Sequence, residues 1–211
     1  MLVLDAVQAA GRIPLDLADG VADYLILSSH KIGGPTGVGA FVAASDLMMP
    51  KPLVIGGGQE KGHRAGTENL AGIAGFGAAA KIARESLAHA DELATMRDSI
   101  EETLLSLAPD AEIFGRGAKR LANTTFFAIP GLKAETAQIG FDLAGVALSA
   151  GSACSSGRVG PSHVLKAMGF DNDGALRVSI GRGTTMKDID LLATALSQIL
   201  ARRAGRSTKA A

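Results

Sequence analysis

The sequence predicts an α/β protein. Short apolar runs of strand length alternate with helical stretches. Glycine, at 27 of 211 residues, punctuates them, about twice the usual share of ~7%. A hydrophobic fraction of 47% gives a chain of 211 residues enough apolar surface for a sizeable core.

The elements follow in order. Leu2 to Leu4 is a short apolar strand ending at Asp5. The run "DYLILSS" is a second, apolar on both faces as parallel or central strands are, and "GVGAFVA" is a third. "AVQAAGRIPLDLADGV" between the first two holds a helical turn and a Gly/Pro connection. Gly56 to Asn69, "GGGQEKGHRAGTEN", is a glycine-rich loop, and Thr67 stands where an N-cap would. Glu68 to Ala108 reads as two helices broken near Ser86 to Ala90, with Leu93, Met96, Ile100, Leu104 and Leu107 on one stripe. Beyond Pro109 come strands at "AEIFG" and "NTTFFAIPG", a helix at "KAETAQIGFDLAG", a strand at "VALSAG", a helix ended by Gly169, a strand at "GALRVSIG" and a closing helix from Met186. The expected division is a first block over 1–86, a smaller α/β lobe over 87–205 and a disordered tail over 206–211.

Composition narrows the function. Lys+Arg and Asp+Glu both total 21, giving no charge signal for nucleic acid or an anionic membrane. With no Trp and one Tyr, base-stacking platforms are not expected. One cysteine, Cys154, cannot form an internal disulfide, which fits a reducing cytosol. No apolar stretch is long enough to span a bilayer, and "MLVLDAVQAAG" lacks the basic region of a secretory signal.

The stretch "SSHKIGGP", Ser28 to Pro35, sets one lysine among glycines between two strands. Lys31 has three readings: a solvated loop residue, a phosphate ligand, or an amine that joins a carbonyl cofactor. The Walker pattern is not matched. The third reading demands an acid for a pyridine nitrogen, groups for a phosphate and a cation for a substrate carboxylate. Asp5, Ser28, His30 and Arg177 are candidates, although spacing alone does not make them converge. Each also has an ordinary structural reading: Asp5 as a turn cap, Gln8 as a solvated helix residue, His30 as a loop residue. His63 and Arg182 are left with such readings.

Five stretches in order, "LDAVQAAG", "SSHKIGGPTGVGAFV", "GGGQEKGHRAGTEN", "GSACSSGRVGPSHVLKAMG" and "LRVSIGRGTT", resemble the pyridoxal-phosphate-dependent cysteine desulfurases, relatives of the class V aminotransferases, over about residues 2–200. The resemblance implies the type I fold of these transferases, with part of the large cofactor domain followed by an α/β small domain. It implies pyridoxal 5′-phosphate as cofactor and no metal. Asp5 then pairs with the pyridine nitrogen, Gln8 with the phenolic oxygen, and Ser28 and His30 with the phosphate. Lys31 is the Schiff-base lysine, and Thr67 reaches the phosphate of a neighbouring subunit. Cys154 is the nucleophile that accepts sulfur, its small neighbours suiting an exposed, mobile thiol. Arg177 clamps the substrate carboxylate. L-cysteine would become L-alanine with a persulfide on Cys154, supplying an iron–sulfur scaffold protein from a cytoplasmic homodimer. The family's N-terminal portion is not matched, so the chain is expected to be its C-terminal half. The alternatives are a truncated, non-catalytic remnant acting as an interaction module, and a related selenocysteine lyase or aminotransferase.

Overall fold

The computed structural model describes residues 1–151, 162–170 and 174–207. The chain divides between Ala90 and Asp91 into two compact units.

The first unit is built on a three-stranded sheet. Strand β1 (Val3–Asp5) runs parallel to β2 (Tyr24–Ser28), with Val3 opposite Tyr24 and Asp5 opposite Ile26. Strand β3 (Gly39–Ala43) pairs antiparallel on the other side of β2, with Ser28 opposite Gly39. β2 is thus central, as its composition predicts. Its two faces are covered unequally: Leu25 packs with Ala6 and Ala22, whereas Ile26 on the other face is 40% exposed. On that face Tyr24 stacks on Phe41 at 4.9 Å and donates its hydroxyl proton to the Met48 carbonyl.

Helix α1 (Leu70–Ser86) follows the glycine-rich loop. The cap expected at Thr67 is Asn69 instead, whose Oδ1 accepts from the Gly72 N–H at 3.0 Å. Thr67 lies three positions before the first helical residue, too early to satisfy the free N–H groups of the first turn. The expected break is a 3₁₀ turn at Leu87–His89.

The second unit opens with α2 (Ala90–Leu107). It then carries β4 (Glu112–Ile113), β5 (Thr124–Ala128), α3 (Ala134–Leu143), β6 (Ser149–Ala150), α4 (His163–Ala167), β7 (Leu176–Ser179) and α5 (Met186–Ser207). Its sheet has the order β4-β5-β7-β6, antiparallel throughout. Ile100 and Leu104 of α2, Phe127 of β5, Phe141 of α3, Leu176 of β7 and Leu196 of α5 fill one core. The stripe predicted along α2 holds from Leu93 to Leu104, but Leu107 is 36% exposed and Ala108 takes its place inside. The helix ends there, and the Ala111 N–H bonding to the Ala108 carbonyl turns the chain away. On the second face of the sheet, Leu165 packs against Ala128 and Ala175, and Phe114 meets the Phe170 ring edge-on at 4.9 Å.

Among the described residues of this unit, one charged side chain is buried. Glu101 accepts two hydrogen bonds from Arg120, at 2.6 and 2.7 Å, and one from the Thr125 hydroxyl at 2.9 Å. Burial pushes its carboxyl up, but the bonds from Arg120 and Thr125 outweigh that and hold it below the usual range. Among the described residues, no helix is long and apolar enough to cross a membrane.

Candidate functional site

Because β1 and β2 are parallel, their carboxyl ends lie at one edge of the sheet, where open α/β sheets place ligands. Asp5 ends β1. Its Oδ1 accepts from the Val7 N–H at 3.0 Å, and this Asx turn starts the helical turn in which Ala10 N–H bonds the Ala6 carbonyl. Gln8 stands on that turn. Ser28 ends β2 and leads into the 3₁₀ turn Ser29–Ile32, which carries His30 and Lys31. Gly33 closes it at φ 87°, its N–H bonding the Ser29 carbonyl, a conformation that favours glycine. Ser28 Oγ and His30 Nδ1 lie 3.0 Å apart. The structure therefore gathers Asp5, Gln8, Ser28, His30 and Lys31 at one sheet edge.

Helix α1 backs both turns through small residues. A Cβ on Gly11 would lie 2.9 Å from Ala83 Cβ, and one on Gly34 would lie 3.0 Å from Ala79 Cβ. Conversely, a Cβ on Gly75 would lie 2.7 Å from Pro35 Cγ. Positions 75, 79 and 83 recur every four residues and so share one helix face. Nothing in the sequence reading anticipated this face, though its Gly/Ala spacing is the visible signal.

Two more residues were missed. Ser29 is fully buried, and its hydroxyl has no hydrogen-bond partner among the described residues. Arg12 donates from Nη1 to the Gln8 carbonyl at 2.8 Å and from Nη2 to the Lys31 carbonyl at 3.4 Å. Burial pushes its guanidinium down from its ordinary value.

The other expected residues belong to other elements. Thr67 lies on the exposed loop, where Arg64 donates to the Gly66 carbonyl at 2.8 Å and, more weakly, to that of Thr67 at 3.5 Å. No hydrogen bond among the described residues joins its hydroxyl to Asp5, Gln8, Ser28, His30 or Lys31. Arg177 belongs to the second unit, on β7 opposite Phe126 and Ser149. Its Nη2 donates to Ser149 Oγ at 3.3 Å, and its buried Nε has no partner among the described residues. Cys154 lies outside the described residues.

Residues 1–192 match the aminotransferase class-V family. The chain belongs to that family. Among curated class-V relatives, it is 41% identical over 203 residues to the cysteine desulfurase of Trichormus azollae, covering 94% of this chain and 50% of that protein. It is 42% identical over 202 residues to the cysteine desulfurase of Bradyrhizobium diazoefficiens, covering 94% and 51%. The solved NifS-like protein from Rickettsia africae superposes with a TM-score of 0.81 at 33% identity, covering 94% of this chain and 53% of that one. The fold is that of this family, and the chain spans about half the length of the relatives it matches.

Proposed function

We propose that this class-V chain carries part of a pyridoxal-phosphate-dependent cysteine desulfurase site. In this reading 1–86 contribute to the cofactor domain and 87–205 form the small domain. The observation that carries the reading is the placement of an acid at the end of β1 beside a hydroxyl, an imidazole and an amine at the end of the parallel β2. That donor set fits a phosphorylated pyridine aldehyde: a carboxylate for the ring nitrogen, Ser28 and His30 for the phosphate, Gln8 for the phenolic oxygen and Lys31 for the aldehyde carbon. When bound, the cofactor supplies an electron sink for the pair released as an amino acid loses its α-proton.

The chain's own groups have these roles. Asp5 holds a proton on the ring nitrogen. Lys31 takes the α-proton from L-cysteine, and Arg177 binds the substrate carboxylate through its planar fork. The Cys154 thiolate, outside the described residues, attacks the substrate sulfur. The substrate C–S bond breaks, a proton replaces sulfur on carbon, L-alanine leaves and the sulfur stays on Cys154 as a persulfide. Names of relatives and the "GSACSSG" motif support this chemistry over transamination. An iron–sulfur scaffold would take the sulfur, Thr67 would serve a neighbouring subunit's phosphate in a homodimer, and a single cysteine suits the cytosol.

A second reading, that the chain acts as an interaction module without turnover, is favoured by its open sheet. β1 and β3 are both edges, and Val3, Leu4, Phe41 and Val42 upon them are exposed.

One experiment separates the two. The protein is mixed with pyridoxal phosphate, reduced with borohydride and mapped by mass spectrometry, and alanine release from cysteine is measured alongside. The first reading expects the label on Lys31, its loss in Lys31→Ala, and no persulfide in Cys154→Ala. Label elsewhere, or sulfide release by Cys154→Ala at the normal rate, refutes it. Label on Lys31 without alanine supports the second.

A further inference from the structure

We propose that Arg12 is a positioning residue for the candidate site: its guanidinium staples the Gln8 turn to the Lys31 turn and fixes the spacing of the amide and the amine they carry. The assignment rests on the cofactor reading above for what that spacing serves.

The two bonds are unlike in reach. The one to the Gln8 carbonyl, 2.8 Å, closes over four residues. The one to the Lys31 carbonyl, 3.4 Å, spans nineteen. One planar fork therefore joins the connection after β1 to the turn after β2, at the sheet edge where the candidate residues gather. A lysine ammonium on its flexible stem offers no such fork. No carboxylate pairs with Arg12 among the described residues, so its half-buried charge is met by main-chain carbonyls alone. Ordering a long side chain in this way opposes its rotamer entropy, a cost with a use only if the joint between the turns has one.

The opposite side of the joint is already fixed. Gly11, next to Arg12, rests on Ala83, and Gly34, three residues after Lys31, rests on Ala79. Both turns are thus seated on α1, and the Arg12 bridge adds a direct tie between them.

The test compares Arg12→Met and Arg12→Lys with the unaltered protein by two readouts. Amide hydrogen exchange over residues 28–34 reports the joint without cofactor. Titration with pyridoxal phosphate reports the site. Arg12→Met should speed exchange in 28–34 by about ten-fold, with β5 and β7 unchanged, and weaken cofactor binding by about ten-fold, the effect of roughly one net charged hydrogen bond. Arg12→Lys, able to keep one bond, should fall between. The proposal is overturned if Arg12→Met matches the unaltered protein in exchange, if exchange rises equally in both units, or if the turn loosens while cofactor affinity stays the same. Should Arg12→Met not fold, Arg12→Lys decides by the same two readouts. If the unaltered protein takes up no cofactor at Lys31 yet Arg12→Met loosens 28–34 alone, the cofactor reading fails while the staple stands.

Discussion

Gly34 is where the Lys31 turn meets α1, and replacing it with alanine should move that turn. Its backbone is outside the left-handed region, so the effect is steric alone. The added Cβ would lie 2.2 Å from Ser29 Oγ, 3.0 Å from Ala79 Cβ and 3.3 Å from the Ser29 carbonyl oxygen. The first distance is impossible for real atoms, so the Ser29 side chain, which is fully buried, would have to shift. Overpacking of this kind costs about 1–3 kcal/mol. Ser29 also supplies the remedy. Its buried hydroxyl has no partner among the described residues, and an unmet polar group of that sort costs about 1–3 kcal/mol. Ser29→Ala should therefore stabilise by about 1 kcal/mol, and Gly34→Ala should be far milder in its presence. Thermal unfolding of both single variants and the double variant measures the coupling, with each kcal/mol worth about 2–4 °C in a protein of this size. The reasoning is refuted if Gly34→Ala leaves the midpoint unmoved, or if the two changes add within about 0.5 kcal/mol, as independent sites do.

Three further predictions follow from buried contacts. Glu101→Leu leaves Arg120 without its carboxylate and should cost about 3–5 kcal/mol, whereas Glu101→Leu with Arg120→Met should be near neutral; urea midpoints of the three proteins decide. Because the Glu101 carboxyl is held low in the folded state, its stabilisation is full above the unfolded value of about 4.3 and is lost as pH falls through the lower folded value. The urea midpoint of Glu101→Gln should accordingly fall less between pH 5 and pH 3, roughly the window below which carboxylates protonate, than that of the unaltered protein. Gly11→Ala meets two penalties: a left-handed backbone at φ 72° and a contact of 2.9 Å with Ala83. The first is about 1–2 kcal/mol, so Ala83→Gly should recover only the remainder in thermal unfolding.

The strands of the first unit were legible because each is a short apolar run, as β2 runs to Ser28. The motif residues of the first unit were marked by resemblance; that Asp5 and Ser28 end adjacent parallel strands is what the structure adds, since their spacing in the sequence does not bring them together. The orientation of α1 was not legible. Its large residues Leu70, Ile73 and Ile82 are 74%, 42% and 53% exposed, while Gly72, Ala79 and Ala83 are buried. Apolar periodicity assumes that the largest side chains face inward. Here close backbone approach selects the smallest, and the pattern inverts. Arg12 escaped for a different reason: its partners are main-chain carbonyls, which every residue has, so no residue type at any spacing marks them.

That inversion bears on how the predictions should be read. The second unit is held by large side chains, Phe127, Phe141, Ile100 and Leu196 among them, so changes there act on stability in proportion to apolar area removed from water. In the first unit the turns bearing Gln8 and Lys31 are held instead by contacts at Gly11, Gly34 and Gly75, with little area in any one of them. A methyl group added at such a contact removes no buried surface. It pushes a turn off its helix, and in the proposed reading that turn carries the chemistry. Conservative enlargements at 11, 34 and 75 should therefore impair cofactor binding more than their unfolding midpoints suggest. Glu101→Leu, which touches no such turn, should show the reverse ratio. Equal losses of affinity and stability in both sets would mean that the glycine contacts serve packing alone.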